Sequence, residues 1–181
     1  MDINKRNSLL LSVLSIFCVS IFPVIFLYTQ NAGEVNAKEL ILPLGIFLGI
    51  ALIIGIIFSF FIKSINNLSL ITCLFMLLFS NYALIEKGIR CIFSSLRYWH
   101  IAPIMIVVFL HVAYFLNKKI KIETVQTFSL VLTIVFGGLT LFNVLLAIPV
   151  IGEKIEISYK NKNQNLQISR PDNIILPNFY Y

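Results

Sequence analysis

The chain has 181 residues, 59% of them hydrophobic and 12% charged, with a net charge of +6. A soluble domain is nearer half apolar and a quarter charged, so this chain cannot cover its apolar surface with its own polar groups. The mean hydropathy of +0.92 and the lack of any nucleic-acid motif exclude a basic, soluble nucleic-acid binder and leave a protein solvated by lipid.

Five apolar runs reach the ~20 residues that a bilayer core requires. They cover residues 9–28, 40–62, 68–85, 98–116 and 125–151. A segment in lipid must satisfy its own backbone hydrogen bonds, which predicts an all-α bundle of about five transmembrane helices. The runs are too long and continuous for barrel strands, which alternate. The first follows the basic stretch Asn4-Lys5-Arg6, exceeds a signal-peptide core and has no small-residue cleavage site after it. It is therefore read as a retained helix.

Pro23 lies deep in the first run and predicts a kink, whereas Pro43 and Pro103 fall near first turns, where proline is tolerated. In the second run Gly45 and Gly49 form a GxxxG motif, with Ala51 and Gly55 extending the small-residue face. Such a face is expected to pack inside the bundle in preference to making a dimer. Residues 86–97 are amphipathic and are expected at the interface, with Tyr98 and Trp99 at headgroup depth.

Polar groups within spans are costly and are the first place to look for function. His111, in the fourth run, is the strongest candidate. A proton relay there would need an acid at similar depth, and none is present, so a histidine bonded to a neighbouring helix or to interfacial water is expected. Gln126 and Asn143 in the fifth run are expected to bond between helices. Asn81 and Glu86 sit near the end of the third run, where Glu86 is expected to pair with Lys87, Arg90 or Arg97. His100 is read as solvated beside Trp99. Cys18 and Cys73 lie in apolar runs, and the three cysteines (with Cys91) show no metal or redox spacing. No nucleophile and base set, glycine-rich phosphate loop or carboxylate cluster is visible. The sequence therefore assigns no catalytic, cofactor-binding or metal-binding residue.

Lys5, Arg6, Lys63, Lys118, Lys119 and Lys121 fall on one side of a five-span topology, and Lys38, Lys87, Arg90 and Arg97 on the other. The excess predicts a cytoplasmic N-terminus and an extracytoplasmic C-terminus. Residues 1–151 then form the membrane bundle, and 152–181 an outer tail that opens with a polar linker containing KNKNQN.

The order of several segments resembles bacterial sulfatase-like membrane proteins of the alkaline phosphatase superfamily. FPVIFLYTQNAGEVNAKELILPL (22–44) is similar to that group's FPxxFLYxxN run into the second helix. LLFSNYALIEKG (77–88) is similar to its FFSYGHL segment, and RYWHIAPI (97–104) to the start of its fourth helix. RPDNI (170–174) resembles the RPDIYYI opening of the outer catalytic domain. The resemblance implies a five-helix anchor in a bacterial cell membrane. The family's metal-binding aspartate lies in the strand after RPD, within IYYIVLDGY. Here that place holds IILPNFYY, and Asp172 belongs to the RPD opening, so no metal ligand carries over. One back-translation of NIILPNFYY, read one base out of register, gives ILYYLIFI, close to the family's strand. The expectation is therefore a frameshifted product: an anchor without its catalytic half, inert by itself, with the bilayer as its partner. The alternative is a complete small accessory or transport subunit in envelope polysaccharide assembly, working through helix packing with a membrane-protein partner.

Overall fold

The computed structural model describes residues 3–168, so RPDNI and the residues after it lie outside the described residues. Among the described residues there are six α-helices and no strand: α1 Ile3–Gln30, α2 Ile41–Ser59, α3 Ile65–Ser80, α4 Tyr82–Ile92, α5 Tyr98–Lys119 and α6 Ile122–Ile168. A short 3-10 turn, Ala37–Leu40, leads into α2. Four helical segments are long and apolar enough to cross a membrane alone, and α3 with α4 makes a fifth only as a bent pair. The chain is an all-α membrane protein.

The outward side chains explain why lipid must cover it. Leu42, Phe60 and Val107 are each more than two-thirds exposed, and such residues cover most faces of α2, α5 and α6. Contiguous apolar surface on that scale is not tolerated in water.

Contacts across the bundle fix the helix directions. Ser8 and Ser15 of α1 meet Asn66 and Ser69 of α3 in that order, so the two helices run parallel. Gln126 meets Ser8 and Phe136 meets Phe22, so α6 is parallel to both. On α2, Phe47 stacks edge-on with Phe79 of α3, while Gly55 faces Thr72, so that pair is antiparallel. On α5, Phe109 lies against Phe75 while Asn117 bonds Asn67, again antiparallel to α3. The result is an up-down-up-down-up bundle. Arg6, Lys63, Lys118, Lys119 and Lys121 share the end where α1 begins, here called the near end. The 31–40 connection, α4 and Lys154 share the far end.

The core sits at the middle of α1, α2 and α3, where Val19, Ala51, Cys73 and Met76 are buried together. A second cluster joins α3 to α5 through Ile62, Ile71, Phe109 and Ala113. α1 packs most extensively on α6. The closest helix approach at a glycine is there, where a Cβ on Gly137 would stand 3.5 Å from the Sγ of Cys18.

Three expectations change. The third helix ends at Ser80, not at residue 85: at Asn81 φ is −103° and ψ 10°, outside helical geometry, while its backbone N–H at 3.2 Å and its side-chain amide at 2.8 Å both reach the Leu77 carbonyl. Beyond it α4 turns by 62°. The second correction concerns the polar linker, since α6 continues as helix through Gly152 to Ile168. Glu, Lys and Gln are good helix formers, so polarity alone does not end a helix. The third concerns the GxxxG face. A Cβ on Gly45 or Gly49 would meet nothing within 4 Å, so the motif itself is unpacked among the described residues, whereas Ala51 is buried in the core and Gly55 faces Thr72 of α3. Pro103 lies just past the first turn of α5, which begins at Tyr98 as its apolar run does. α1 runs on through Pro23 to Gln30 without interruption.

Candidate functional site

The densest polar chemistry of the described residues is a buried seam between α1, α3 and the start of α6. Ser8, Ser12 and Ser15 are spaced four and three apart, which places them on one face of α1. Asn66, Ser69 and Cys73 do the same on α3, and Gln126 closes the seam from α6.

The geometry forms a chain of hydrogen bonds. The Asn66 Oδ1 accepts from Ser8 at 2.6 Å and from Ser12 at 3.0 Å. The Ser12 carbonyl accepts from its own helix, through Ser15 at 2.9 Å, and from α3, through Ser69 at 2.8 Å. The Ser15 and Ser69 hydroxyls also meet at 2.9 Å, and the Cys73 thiol lies 3.8 Å from the Ser15 Oγ. Gln126 donates to Ser8 at 3.3 Å. Ser12, Ser15 and Ser69 are at most 2% exposed. In lipid the alternative to these bonds is an unsatisfied group in hydrocarbon, so the seam fixes the register of α1 against α3. Its hydroxyls and amides are neutral and serve as donors and acceptors, not as general acids or bases.

Four further buried hydroxyls, Ser20, Thr72, Ser129 and Thr140, have no hydrogen-bond partner among the described residues. Thr72 faces Gly55 of α2, where a Cβ would stand 3.9 Å from its hydroxyl. Nearer the far end, Thr29 donates both to Ile25 in its own helix and to the Asn143 carbonyl of α6 at 3.1 Å.

The residues singled out in the sequence do not converge. His111 lies exposed on the outer face of α5, away from the seam. Gln126 bonds across helices as expected. Asn143 does not: its amide donates to Leu139 one turn back, and its carbonyl makes the interhelical bond. Glu86 pairs with Arg90 at 3.3 Å on the exposed face of α4, one of the three partners foreseen. Asn81 makes the elbow between α3 and α4. His100 is exposed and accepts from the Arg97 backbone at 3.4 Å, closing the start of α5. Cys18 and Cys73 are buried, and Cys91 is exposed. Among the described residues no three His, Cys, Asp or Glu side chains gather as a metal-holding group.

The seam residues Ser8, Ser12, Ser15, Asn66 and Ser69 escaped the sequence reading. Hydroxyls recurring at helical spacing on one face of an apolar run were the available signal. Comparison with known proteins finds no matching family model, no matching curated protein and no matching solved structure.

Proposed function

We propose that this chain is a multi-pass anchor of a bacterial cell membrane. It is of the kind that carries the outer catalytic domain in sulfatase-like hydrolases and transferases, and it performs no chemistry by itself. The observation that carries this reading is the seam. Its groups are neutral and bond to one another, which suits fixed helix register better than turnover. The order of the FPVIFLY, LLFSNYALIEKG and RYWHIAPI segments supports the sulfatase-like part of the reading. Purified chain in detergent, given Mg2+, Mn2+ or Zn2+, is expected to turn over no phosphate or sulfate ester, because that chemistry needs a metal-activated nucleophile. Metal-dependent turnover that persists through a second, orthogonal purification would overturn the proposal.

The orientation proposed is near end in the cytoplasm and far end outside. It rests on the lysines and arginine gathered at the near end. An alkaline phosphatase reporter fused after Lys154 is expected to be active and a fluorescent-protein fusion there to be dark. A bright fusion reverses the topology.

One observation favours the reading as an accessory subunit. α5 packs on α3 through Phe109 and Ala113 and leaves Ile104, Val107 and Leu110 exposed, a face free for another membrane helix. Co-purification of a stoichiometric membrane protein, lost on substituting that face, would favour it over the anchor.

A further inference from the structure

His111 is the one Asp, Glu, Lys, Arg or His set well inside an apolar span. None occurs in residues 7–30, 41–59, 65–80 or 125–151, and no other lies between Ile101 and Asn117. It stands seven residues before Lys118 and twelve after Trp99, about 10 Å and about 18 Å along the helix axis. Side chains lean toward the N-terminus of their helix, here the far end, so the imidazole leans away from the nearer headgroups. It is exposed, and it makes no hydrogen bond or ion pair among the described residues.

Its direction follows from its neighbours. Phe109 and Ala113, two residues to either side, are buried against α3. At about 100° per residue, His111 points about 160° away from both, directly outward. An ionisable side chain at such depth almost always faces a bundle interior, water or a partner. Hydrocarbon offers an imidazole no donor and no acceptor, so this face is incomplete in a single copy.

The residues around His111 form a seam. Ile104, Val107, His111, Tyr114 and Lys118 follow one another at spacings of three, four, three and four, the repeat that lines a left-handed helix pair. All five are exposed. His111 takes the central place, and Lys118 is already held by the Tyr114 hydroxyl of its own helix at 2.9 Å. Copies of the chain inserted with one topology present α5 to α5 in parallel. A two-fold axis between them sets each seam residue against itself. A neutral imidazole has one donor nitrogen and one acceptor nitrogen, so an identical imidazole completes it.

We propose that the chain forms a parallel dimer through the outer face of α5, with the two His111 side chains hydrogen-bonded across the two-fold axis. A single polar residue in such a seam also fixes its register. The pairing does not depend on which domain the bundle carries.

Cross-linking reads the seam. In a Cys91→Ser chain, where the remaining native cysteines are buried, Val107→Cys places a thiol four residues from His111. Ile106→Cys is the control: Ile106 is 58% exposed but turned about 140° from His111. On oxidation of membranes from cells producing each variant, Val107→Cys should give a product of twice the chain's mass, at about fivefold or greater yield than Ile106→Cys. A Val107→Cys product of another mass would assign the face to a different membrane protein, and equal yields would show that the seam is not paired. Either outcome overturns the proposal. Association is read separately, by energy transfer between full chains labelled at the exposed Cys91 and diluted with lipid in vesicles. His111→Leu should weaken the dimer about fivefold, the usual weight of one interhelical hydrogen bond in lipid. His111→Asn, whose amide again both donates and accepts, should stay within about twofold of the native chain. His111 is exposed, so neither substitution empties the core. A chain that is monomeric at every dilution leaves lipid as the cover of this face and overturns the proposal, as does a dimer indifferent to His111→Leu.

Discussion

Replacing Ser15 by leucine is expected to destabilise the bundle by about 2–4 kcal/mol, combining lost seam bonds with overpacking. Ser15 is fully buried and touches α3 twice, through the Ser69 hydroxyl at 2.9 Å and the Cys73 thiol at 3.8 Å. Leucine has no room there without driving α1 from α3. Ser15→Ala removes the hydrogen bonds but not the fit, and about 1 kcal/mol is expected, the usual worth of an interhelical bond in lipid. Unfolding of micellar protein by added dodecyl sulfate, followed by loss of helicity, measures both. If alanine and leucine cost the same within about 0.5 kcal/mol, the seam is not close-packed at Ser15.

A cross-linking test reads the α1–α6 contact face. In a chain with Cys73→Ala and Cys91→Ser, Gly137→Cys is expected to form a disulfide with Cys18 almost completely on mild oxidation. The native glycine already places a Cβ position 3.5 Å from the Cys18 sulfur, within about 0.5 Å of the ~3 Å that separates a Cβ from the partner sulfur in a disulfide. Gly138→Cys, one residue on and turned about 100° around the helix, should not cross-link, since nothing lies within 4 Å of its Cβ position. A protease site in the short link between Lys119 and Ile122 gives the readout: linked fragments stay together on a non-reducing gel. Equal linking at both positions would show that α6 rotates freely against α1.

The spans were legible because lipid demands about twenty apolar residues at a time, and that demand is written directly in composition. The end of α3 was not. Hydropathy stays high through Leu84 and Ile85, and a window average cannot register that the backbone at Asn81 leaves helical geometry while its amide shares the Leu77 carbonyl. The seam was hidden for a related reason. Serines score as mild interruptions of an apolar run, so the pairing of Ser12 with Asn66, 54 residues away, has no local trace. Glycine misled in the other direction. The recognisable motif at Gly45 and Gly49 is unpacked, while Gly137, beside an unremarkable Gly138, makes the close approach. Hydrogen-bond geometry was least legible at Asn143, where the residue type suggests a cross-helix amide and the backbone carbonyl supplies the bond instead.

The parallel pairing of α1 with α6 has a bearing on how the protein is made. Ser8 waits for Gln126, and Thr29 for Asn143, separations of 118 and 114 residues. At about 5–20 residues per second of synthesis, the first helix to emerge spends several seconds without its largest interface. It has α3 sooner, since Asn66 follows Ser8 by 58 residues. The serine face of α1 can thus be sheltered by the nascent α3 while ribosomes are still completing the chain, and the last helix locks onto a pair already formed. The order of the seam along the polypeptide doubles as an order of assembly, in which the polar face least tolerable to hydrocarbon is covered before translation ends.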